Sequence, residues 1–354
     1  MMKYIRKSIQ ELKEYTVPQD KYEVKLNQNE SPYDVPENLK EEIIKKIMFA
    51  DWNRYPSRTA IPLVKAISLY TNFPEEGIVA ANASNEILQA VFQAICDAGD
   101  KVVAISPGFA IYPYLSKIMD LNLIEVPLLE DFSFDIEKII NEGKRAKMVV
   151  LALPNNPTGT TISIDEIEKI AQNINGIFVV DEAYFEFSGK TAISLLDKYD
   201  NIIIIRTLSK AFGLAGLRLG YLLTNEELAD AIQKAKLPFS VGILGQIAGE
   251  VLLKKNEYIK DIIKKIMDEK EKVFSELTKI PTIKPIPSYT NFILFKTQKM
   301  SGRDLFDEMY RRGVLLRFFN TPRLKNTLRV TIGKPEENKI LLERLKKVIK
   351  NEKS

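Results

Sequence analysis

Hydrophobic residues along this chain fall into two kinds of run. Between about residues 78 and 224, short uninterrupted runs of valine, isoleucine and leucine alternate with longer stretches of mixed polarity. Short apolar runs bounded by turn residues predict strands that are buried on both faces. The predicted strands are 101–106, 122–126, 147–153, 177–180, 201–206 and 219–224.

Helical periodicity fills several of the stretches between these strands. In residues 85–97, Ile87 and Val91 are four positions apart and fall on one face of a helix. Residues 37–49 and 225–237 predict two further helices. Apolar strands that alternate with helices indicate an α/β fold with a mostly parallel sheet, covered by helices on both faces.

The pattern changes after about residue 255, where long charged helices precede more strands and a last helix begins near Pro335. Proline suits the first helical turn because the N–H it lacks has no helical partner there. The later predicted strands are 291–296, 313–319 and 328–333. We therefore expect a second, smaller α+β domain. The expected divisions are 1–50, an N-terminal segment packing with the small domain; 51–250, the large domain; and 251–354, the small C-terminal domain.

Composition narrows the classes of partner. The 354 residues are 45% apolar and 28% charged, and the net charge of +4 is spread along the chain. Such a chain has neither the basic patch of a nucleic-acid-binding protein nor an apolar run that could span a membrane. One cysteine, Cys96, rules out an intramolecular disulfide and suits a reducing compartment. Since the N-terminus is too polar for a secretory signal, we expect a cytoplasmic protein.

The chain contains no histidine. This excludes catalysis by Ser-His-Asp or Cys-His groups and removes the commonest metal ligand. Any acid–base chemistry must therefore use lysine, tyrosine or a carboxylate.

Three polar residues follow three of the predicted strands. Asn156 comes after strand 147–153, Asp181 after 177–180 and Lys210 after the isoleucine run of 201–206. Ligands of parallel sheets bind beyond the carboxyl ends of the strands. We expect the three side chains to meet in one crevice.

Lys210 is surrounded by small residues within SKAFGLAG (209–216), which leave space for a bulky ligand. A partly desolvated lysine has a lowered pKa, and its neutral amine can form a Schiff base with an aldehyde. A carboxylate such as Asp181 suits a pyridinium nitrogen. Each feature alone also fits a structural role. Lys210 could be a loop lysine, Asp181 could be a helix cap, and PNNPTG (154–159) could be a turn.

Taken together, the ordered motifs NNPTG (155–159), DEAY (181–184) and SKAFGLAGLRLGY (209–221) resemble the aspartate-aminotransferase superfamily, the fold-type I pyridoxal 5'-phosphate enzymes. Within it, the sequence is most similar to the histidinol-phosphate aminotransferase family. The segments that carry this likeness are LNQNESPY (26–33), NRYP (53–56), RTLSKAFGLAGLRLGY (206–221) and LRVTIGKPEEN (328–338). The resemblance extends from about residue 24 to 348.

The resemblance implies a role for each matched residue. Lys210 would bind the cofactor aldehyde covalently and later move the α-proton of the substrate. Asp181 would keep the pyridine nitrogen protonated, which makes the ring an electron sink. Asn156 and Tyr184 would hydrogen-bond the phenolic oxygen of the cofactor, and Phe109 would stack on its ring.

The cofactor phosphate would bind to Arg218 together with the hydroxyl groups of Thr207 and Ser209. The start of the predicted helix 85–97 would add backbone N–H groups, since a helix N-terminus attracts anions. These N–H groups belong to Ala83, Ser84 and Asn85, where the sequence departs from the acidic pair common in the family. Tyr55 would reach the phosphate of the neighbouring subunit, which implies a homodimer with shared active sites.

The resemblance implies an amino donor and a 2-oxo acid acceptor as substrates. Arg329 would bind the carboxylate of glutamate or 2-oxoglutarate and also the phosphate of histidinol phosphate, and Arg317 would assist it. A guanidinium fits both planar anions. For the imidazole ring, the candidates are Tyr15, Glu30, Tyr33 and Tyr112.

Several alternatives remain open at this point. Threonine-phosphate decarboxylases and aromatic or broad-range aminotransferases share the same core motifs. A DNA-binding regulator built on this fold needs an extra N-terminal module, and the roughly 25 residues before the matched region are too few for one. A nucleotide-binding module needs a Gly-Lys-Ser/Thr phosphate loop, and the sequence has none.

Overall fold

The computed structural model describes residues 4–12 and 22–351. Its strands are β1 (Val24–Lys25), β2 (Ile78–Asn82), β3 (Lys101–Ser106), β4 (Asn122–Pro127), β5 (Met148–Ala152), β6 (Ile177–Asp181), β7 (Ile202–Thr207), β8 (Leu219–Leu223), β9 (Ile283–Pro285), β10 (Phe292–Thr297), β11 (Val314–Leu315), β12 (Arg317–Phe318) and β13 (Thr327–Thr331).

The α-helices are α1 (Lys7–Gln10), α2 (Glu37–Met48), α3 (Ile61–Thr71), α4 (Ala83–Ile95), α5 (Ile111–Ile118), α6 (Ile136–Gly143), α7 (Ile164–Asn173), α8 (Phe185–Ser188), α9 (Glu226–Ala235), α10 (Ile243–Lys254), α11 (Glu257–Thr278), α12 (Gly302–Arg311) and α13 (Pro335–Asn351). Short 3₁₀ turns lie at Glu75–Gly77, Ile193–Leu195 and Ala215–Leu217. Among the described residues, no helix combines the length and apolar character needed to cross a membrane.

The central sheet has the strand order β2-β8-β7-β6-β5-β3-β4. Only β8 runs antiparallel to its neighbours, so the mostly parallel sheet expected from the sequence is confirmed. Two separate apolar clusters cover its faces, one built around Ile204 and Val180 and the other around Ile203 and Val179. Alternate residues of the same strands thus enter different clusters, which explains why the strands are apolar throughout.

A smaller sheet of order β12-β13-β10-β9 forms in the C-terminal part, and β1 pairs in parallel with β11 beside it. The prediction of one strand over 313–319 is wrong. The chain instead forms two short strands separated by Leu316, because β11 pairs with β1 whereas β12 pairs with β13. The residues that follow β1 lie alongside the small sheet, where the carbonyl of Leu26 accepts a hydrogen bond of 2.9 Å from the N–H of Thr331 in β13.

Candidate active site

A cavity of about 580 Å³ lies at the carboxyl ends of β5, β6 and β7. These three strands are neighbours in the sheet, so Asn156, Asp181 and Lys210 come to one place, as the strand order requires. The other predicted site residues that line this cavity are Ala83, Ser84, Asn85, Phe109, Tyr184, Thr207, Ser209, Arg218, Arg317 and Arg329.

The amine of Lys210 is held by the backbone of a distant segment. Its Nζ donates a hydrogen bond of 2.9 Å to the carbonyl oxygen of Gln28 and lies 5.9 Å from the ring centre of Tyr184. Burial, together with the positive charge of Arg329 and against the opposing charge of Glu30, lowers the pKa of Lys210 to about 7. A large fraction of the amine is therefore neutral near pH 7 and able to act as a nucleophile or base.

Asp181 is 2% exposed and is the last residue of β6. Its Oδ2 accepts a hydrogen bond of 2.9 Å from the hydroxyl of Tyr112, and its Oδ1 accepts one of 3.2 Å from the N–H of Ala183. Burial raises the pKa of Asp181 to about 6, while these two hydrogen bonds oppose the rise. The carboxylate is thus fixed in position and mostly ionised at neutral pH.

Tyr184 and Asn156 are connected through a side-chain network. The hydroxyl of Tyr184 accepts a hydrogen bond of 2.9 Å from Nδ2 of Asn29, and Nδ2 of Asn156 lies 3.5 Å from the same oxygen. Oδ1 of Asn156 accepts from Nη1 of Arg329 at 2.5 Å. Asn156 therefore orients both a phenol and a guanidinium that face the cavity.

One end of the cavity offers donors suited to a phosphate. The hydroxyl oxygen of Ser209 is buried without a hydrogen-bond partner among the described residues. Thr207 and Arg218 lie beside it on the cavity wall. The helix α4 begins at Ala83, where φ is +67°, and its first N–H groups border the same space. An unpartnered hydroxyl, a guanidinium and a helix N-terminus together fit a bound phosphate group.

The close approach of α4 to the sheet depends on Gly220 in β8. A Cβ atom at that position would lie 2.5 Å from the backbone nitrogen of Ser84. Glycine therefore allows the start of α4 to sit against the strand that follows Arg218. We expected this helix at 85–97, but it begins two residues earlier, and its N-cap residue Asn82 makes no side-chain capping bond that could mark the start.

Arg329 is 6% exposed, and two of its nitrogens have acceptors. Besides the bond to Asn156, its Nη2 donates to the carbonyl oxygen of Asn27 at 2.7 Å. Arg317 lines the same cavity and lies with its guanidinium 5.7 Å from the ring centre of Phe319. The two arginines create a positive region in which an anionic substrate group could bind.

Tyr55 lies apart from the cavity in the single chain. It is 83% exposed, and its ring packs on Phe239 with the ring centres 4.7 Å apart. Glu30 and Tyr33 do not line the cavity either. Tyr15 lies outside the described residues.

Tyr112, another of the four candidates for the imidazole pocket, does not line the cavity. Its side chain is 1% exposed, is absent from the cavity wall and bonds Asp181 instead. Its ring also packs edge-on against Phe109, with the ring centres 5.6 Å apart. Tyr112 therefore supports two residues of the site from within the protein.

The segment Asn27, Gln28 and Asn29 contacts three functional residues, although no role for these residues was predicted from the sequence. Its three consecutive residues bond Arg329, Lys210 and Tyr184 in turn. The sequence signal for this segment was its place in LNQNESPY (26–33), one of the motifs that carry the family resemblance. In the structure, Asn29 has a φ of +56°, in the left-handed region that asparagine tolerates better than most residues. The contacts themselves depend on packing between residues far apart in sequence.

Comparisons with known proteins agree with this geometry. The family model for aminotransferase class I and II matches residues 21–345. The histidinol-phosphate aminotransferase of Chlorobaculum tepidum is 39% identical over 92% of this chain and 94% of its own length. The enzyme of that name from Caldanaerobacter subterraneus subsp. tengcongensis is 38% identical over 98% of both chains.

A solved structure of histidinol-phosphate aminotransferase from Sinorhizobium meliloti in complex with pyridoxal-5'-phosphate is 24% identical. It superposes with a TM-score of 0.90 over 99% of this chain and 98% of that one, and shows that the two share a fold. The family match covers nearly the whole chain, as do relatives of 38% and 39% identity. This chain therefore belongs to the class I and II aminotransferase family.

Proposed function

We propose that this aminotransferase uses pyridoxal 5'-phosphate to move an amino group between histidinol phosphate and 2-oxoglutarate. The observation that carries the proposal is the convergence of Lys210 and Asp181, from the ends of adjacent strands, in a cavity whose wall also includes four arginines. The names of relatives at 38% and 39% identity support the choice of substrate.

The residues around the cavity fit the cofactor. Lys210 would bind its aldehyde, Asp181 would accept a hydrogen bond from its ring nitrogen, and Phe109 would cover the ring. The unpartnered hydroxyl of Ser209 would donate to its phosphate, beside Thr207, Arg218 and the N–H groups of Ala83, Ser84 and Asn85. When bound, the cofactor supplies an electron sink for the pair of electrons that remains when the α-proton leaves.

Proton transfer would fall to Lys210. Its lowered pKa provides a neutral amine near pH 7, so Nζ would accept the proton from the α-carbon of the amino donor in one half-reaction and donate a proton to the corresponding carbon of the amino acceptor in the other. The carbonyl of Gln28 orients that nitrogen. The chain has no histidine, and the pKa of Lys210 lies closer to 7 than that of Asp181, the other titrating group of the site.

Arg329 and Arg317 would bind the anionic group of each substrate. In one half-reaction this group is the phosphate of histidinol phosphate, and in the other it is a carboxylate of glutamate or 2-oxoglutarate. A planar guanidinium can donate two parallel hydrogen bonds to either anion. Asn156 and the carbonyl of Asn27 hold Arg329 in one orientation for both.

A product assay tests this function against its alternatives. Enzyme reconstituted with pyridoxal 5'-phosphate should form glutamate from histidinol phosphate and 2-oxoglutarate. Phenylalanine in place of histidinol phosphate tests an aromatic aminotransferase, and release of carbon dioxide from threonine phosphate tests a decarboxylase. A kcat/KM for phenylalanine or threonine phosphate above that for histidinol phosphate would contradict the proposal.

We also propose that two copies form a homodimer with shared sites in the cytoplasm. Large apolar side chains are exposed near Tyr55, including Phe49 at 82% and Trp52 at 72%, and a second copy would cover them. Tyr55 would then reach the cofactor phosphate of the partner subunit. The single cysteine, Cys96, is buried and unpaired, which suits a reducing compartment.

The domain division that we propose follows the two sheets. The central sheet lies within residues 51–250, and the small sheet of β9, β10, β12 and β13 lies within 251–354. Residues 1–50 form the N-terminal segment, in which β1 pairs with β11 of the small domain.

A further inference from the structure

The side-chain amide of Asn27 is buried. It is 1% exposed, and neither its Nδ2 nor its Oδ1 has a partner among the described residues. Asn27 is nevertheless one of the residues that border the active-site cavity. Burying an amide without partners is unfavourable, so such a group in a folded protein calls for an explanation.

The backbone around Asn27 is fixed on both sides. The N–H of Leu26 donates to the carbonyl of Leu315 at 2.9 Å, and the N–H of Thr331 donates to the carbonyl of Leu26 at 2.9 Å. The carbonyl of Asn27 itself accepts from Nη2 of Arg329 at 2.7 Å. The side-chain amide is therefore held beside the guanidinium that we assign to the anion of the substrate.

We propose that Asn27 is a substrate-binding residue whose Nδ2 donates a hydrogen bond to the anionic group held by Arg329. That group is a phosphate monoester in one half-reaction and a carboxylate in the other, and both offer acceptor oxygens. A donor fixed next to the guanidinium completes the hydrogen bonding of an anion without adding charge. This assignment rests on the proposed function.

Two substitutions test the role of Asn27 in the holoenzyme. Asn27→Ala removes the amide, and Asn27→Asp replaces the donor by a carboxylate that repels an anion. We expect KM for histidinol phosphate and for glutamate to rise about tenfold or more, as for the loss of a hydrogen bond to a charged group. The effect should be larger for Asn27→Asp. Histidinol, which lacks the phosphate, should keep its kcat/KM within about twofold.

Thermal unfolding separates this role from a structural one. Because the amide makes no bond within the described protein, Asn27→Ala should leave the midpoint unchanged or raise it. Asn338 is a matched control: it is 2% exposed, does not line the cavity, and its amide bonds Gly333 and Glu269. Asn338→Ala should lower the midpoint and leave KM unchanged.

The outcomes are distinguishable. Unchanged KM values in both Asn27 variants, a rise for only one of the two anionic substrates, or an equal loss with histidinol would overturn the assignment. So would a fall in the unfolding midpoint equal to that of Asn338→Ala. If the wild-type enzyme failed to turn over histidinol phosphate, the proposed function would be wrong, while the glutamate half-reaction would still decide the role of Asn27.

Discussion

The hydroxyl of Tyr112 donates a hydrogen bond of 2.9 Å to Oδ2 of Asp181. Asp181 is the carboxylate that we assign to the cofactor ring, and Tyr112 approaches it from the protein interior rather than from the cavity. This bond lowers the pKa of Asp181, whereas burial raises it to about 6. The tyrosine thus helps to keep the carboxylate ionised at neutral pH.

Removing that hydroxyl should change the pH dependence of the reaction. In Tyr112→Phe, the pKa of Asp181 loses one of the effects that lower it and should rise by about one unit, the equivalent of one hydrogen bond. Asp181 then stays protonated to higher pH, and the acid limb of the profile of kcat/KM against pH should move upward. Tyr114→Phe, on the same helix but 40% exposed, serves as the control. An acid limb at the wild-type position would contradict the role of Tyr112.

Lys210 should destabilise the folded chain in the absence of cofactor. Its pKa is about 7 in the folded state, against 10.5 for a free lysine, so the folded state disfavours the charged amine. Between these values only the unfolded chain binds the proton. Above pH 10.5 the amine is neutral in both states, and Lys210 does not reduce the free energy of unfolding. As the pH decreases from 10.5 to 7, Lys210 reduces the free energy of unfolding progressively, and below pH 7 the reduction stays at its largest value.

Lys210→Met removes this unfavourable burial along with the reactive amine. We expect no turnover, and we expect cofactor-free protein at pH 6 to unfold at a midpoint a few degrees above wild type. The gain should shrink as the pH approaches 10. Lys264→Met, at an exposed lysine of α11, should show no such pH-dependent gain. Near-normal turnover, or a midpoint below wild type at pH 6, would count against the assignment of Lys210.

Arg329→Lys tests the anion site. A lysine cannot donate at once to Asn156, to the carbonyl of Asn27 and to a substrate anion with the geometry of a guanidinium. We expect KM for histidinol phosphate and for 2-oxoglutarate to rise together, by about tenfold to a hundredfold. Steady-state kinetics of both substrates check this, with the exposed Arg311→Lys as control. A rise in KM for 2-oxoglutarate alone would show that the two anions bind to different residues.

Shared active sites can be tested by mixing two inactive variants. If Tyr55 serves the partner's site, a dimer of one Lys210→Ala chain and one Tyr55→Ala chain has one site with both defects and one native site. Random exchange of subunits at equal amounts should therefore restore about a quarter of wild-type activity, provided the dimer has two-fold symmetry.

The control mixes Lys210→Ala with Arg329→Ala. Both residues line the cavity of one chain, so each mixed dimer has a defect in both of its sites. No activity should return in that mixture. If Lys210→Ala with Tyr55→Ala also stayed inactive after verified exchange, Tyr55 would not act across the dimer.

Much of the central sheet could be predicted from local pattern. Strands such as β7, with Ile202 to Ile205, are apolar on both faces, and this property follows from the residues themselves. The positions of Asn156, Asp181 and Lys210 at strand ends followed in turn, because neighbouring parallel strands end at the same edge. The short strands were harder: β9 has three residues and β1 has two, too few for any periodicity.

The amino-acid sequence by itself therefore determined the α/β class, the positions of most central strands along the chain and the candidates Lys210 and Asp181. These could be predicted because hydrophobic periodicity and motif spacing are local properties of the chain. Only the tertiary structure decided which groups hold those candidates. Gln28 meets Lys210 across 182 positions, and Tyr112 meets Asp181 across 69. Such contacts arise from the packing of whole elements, and no short stretch of sequence records which distant carbonyl or hydroxyl will arrive beside a given side chain.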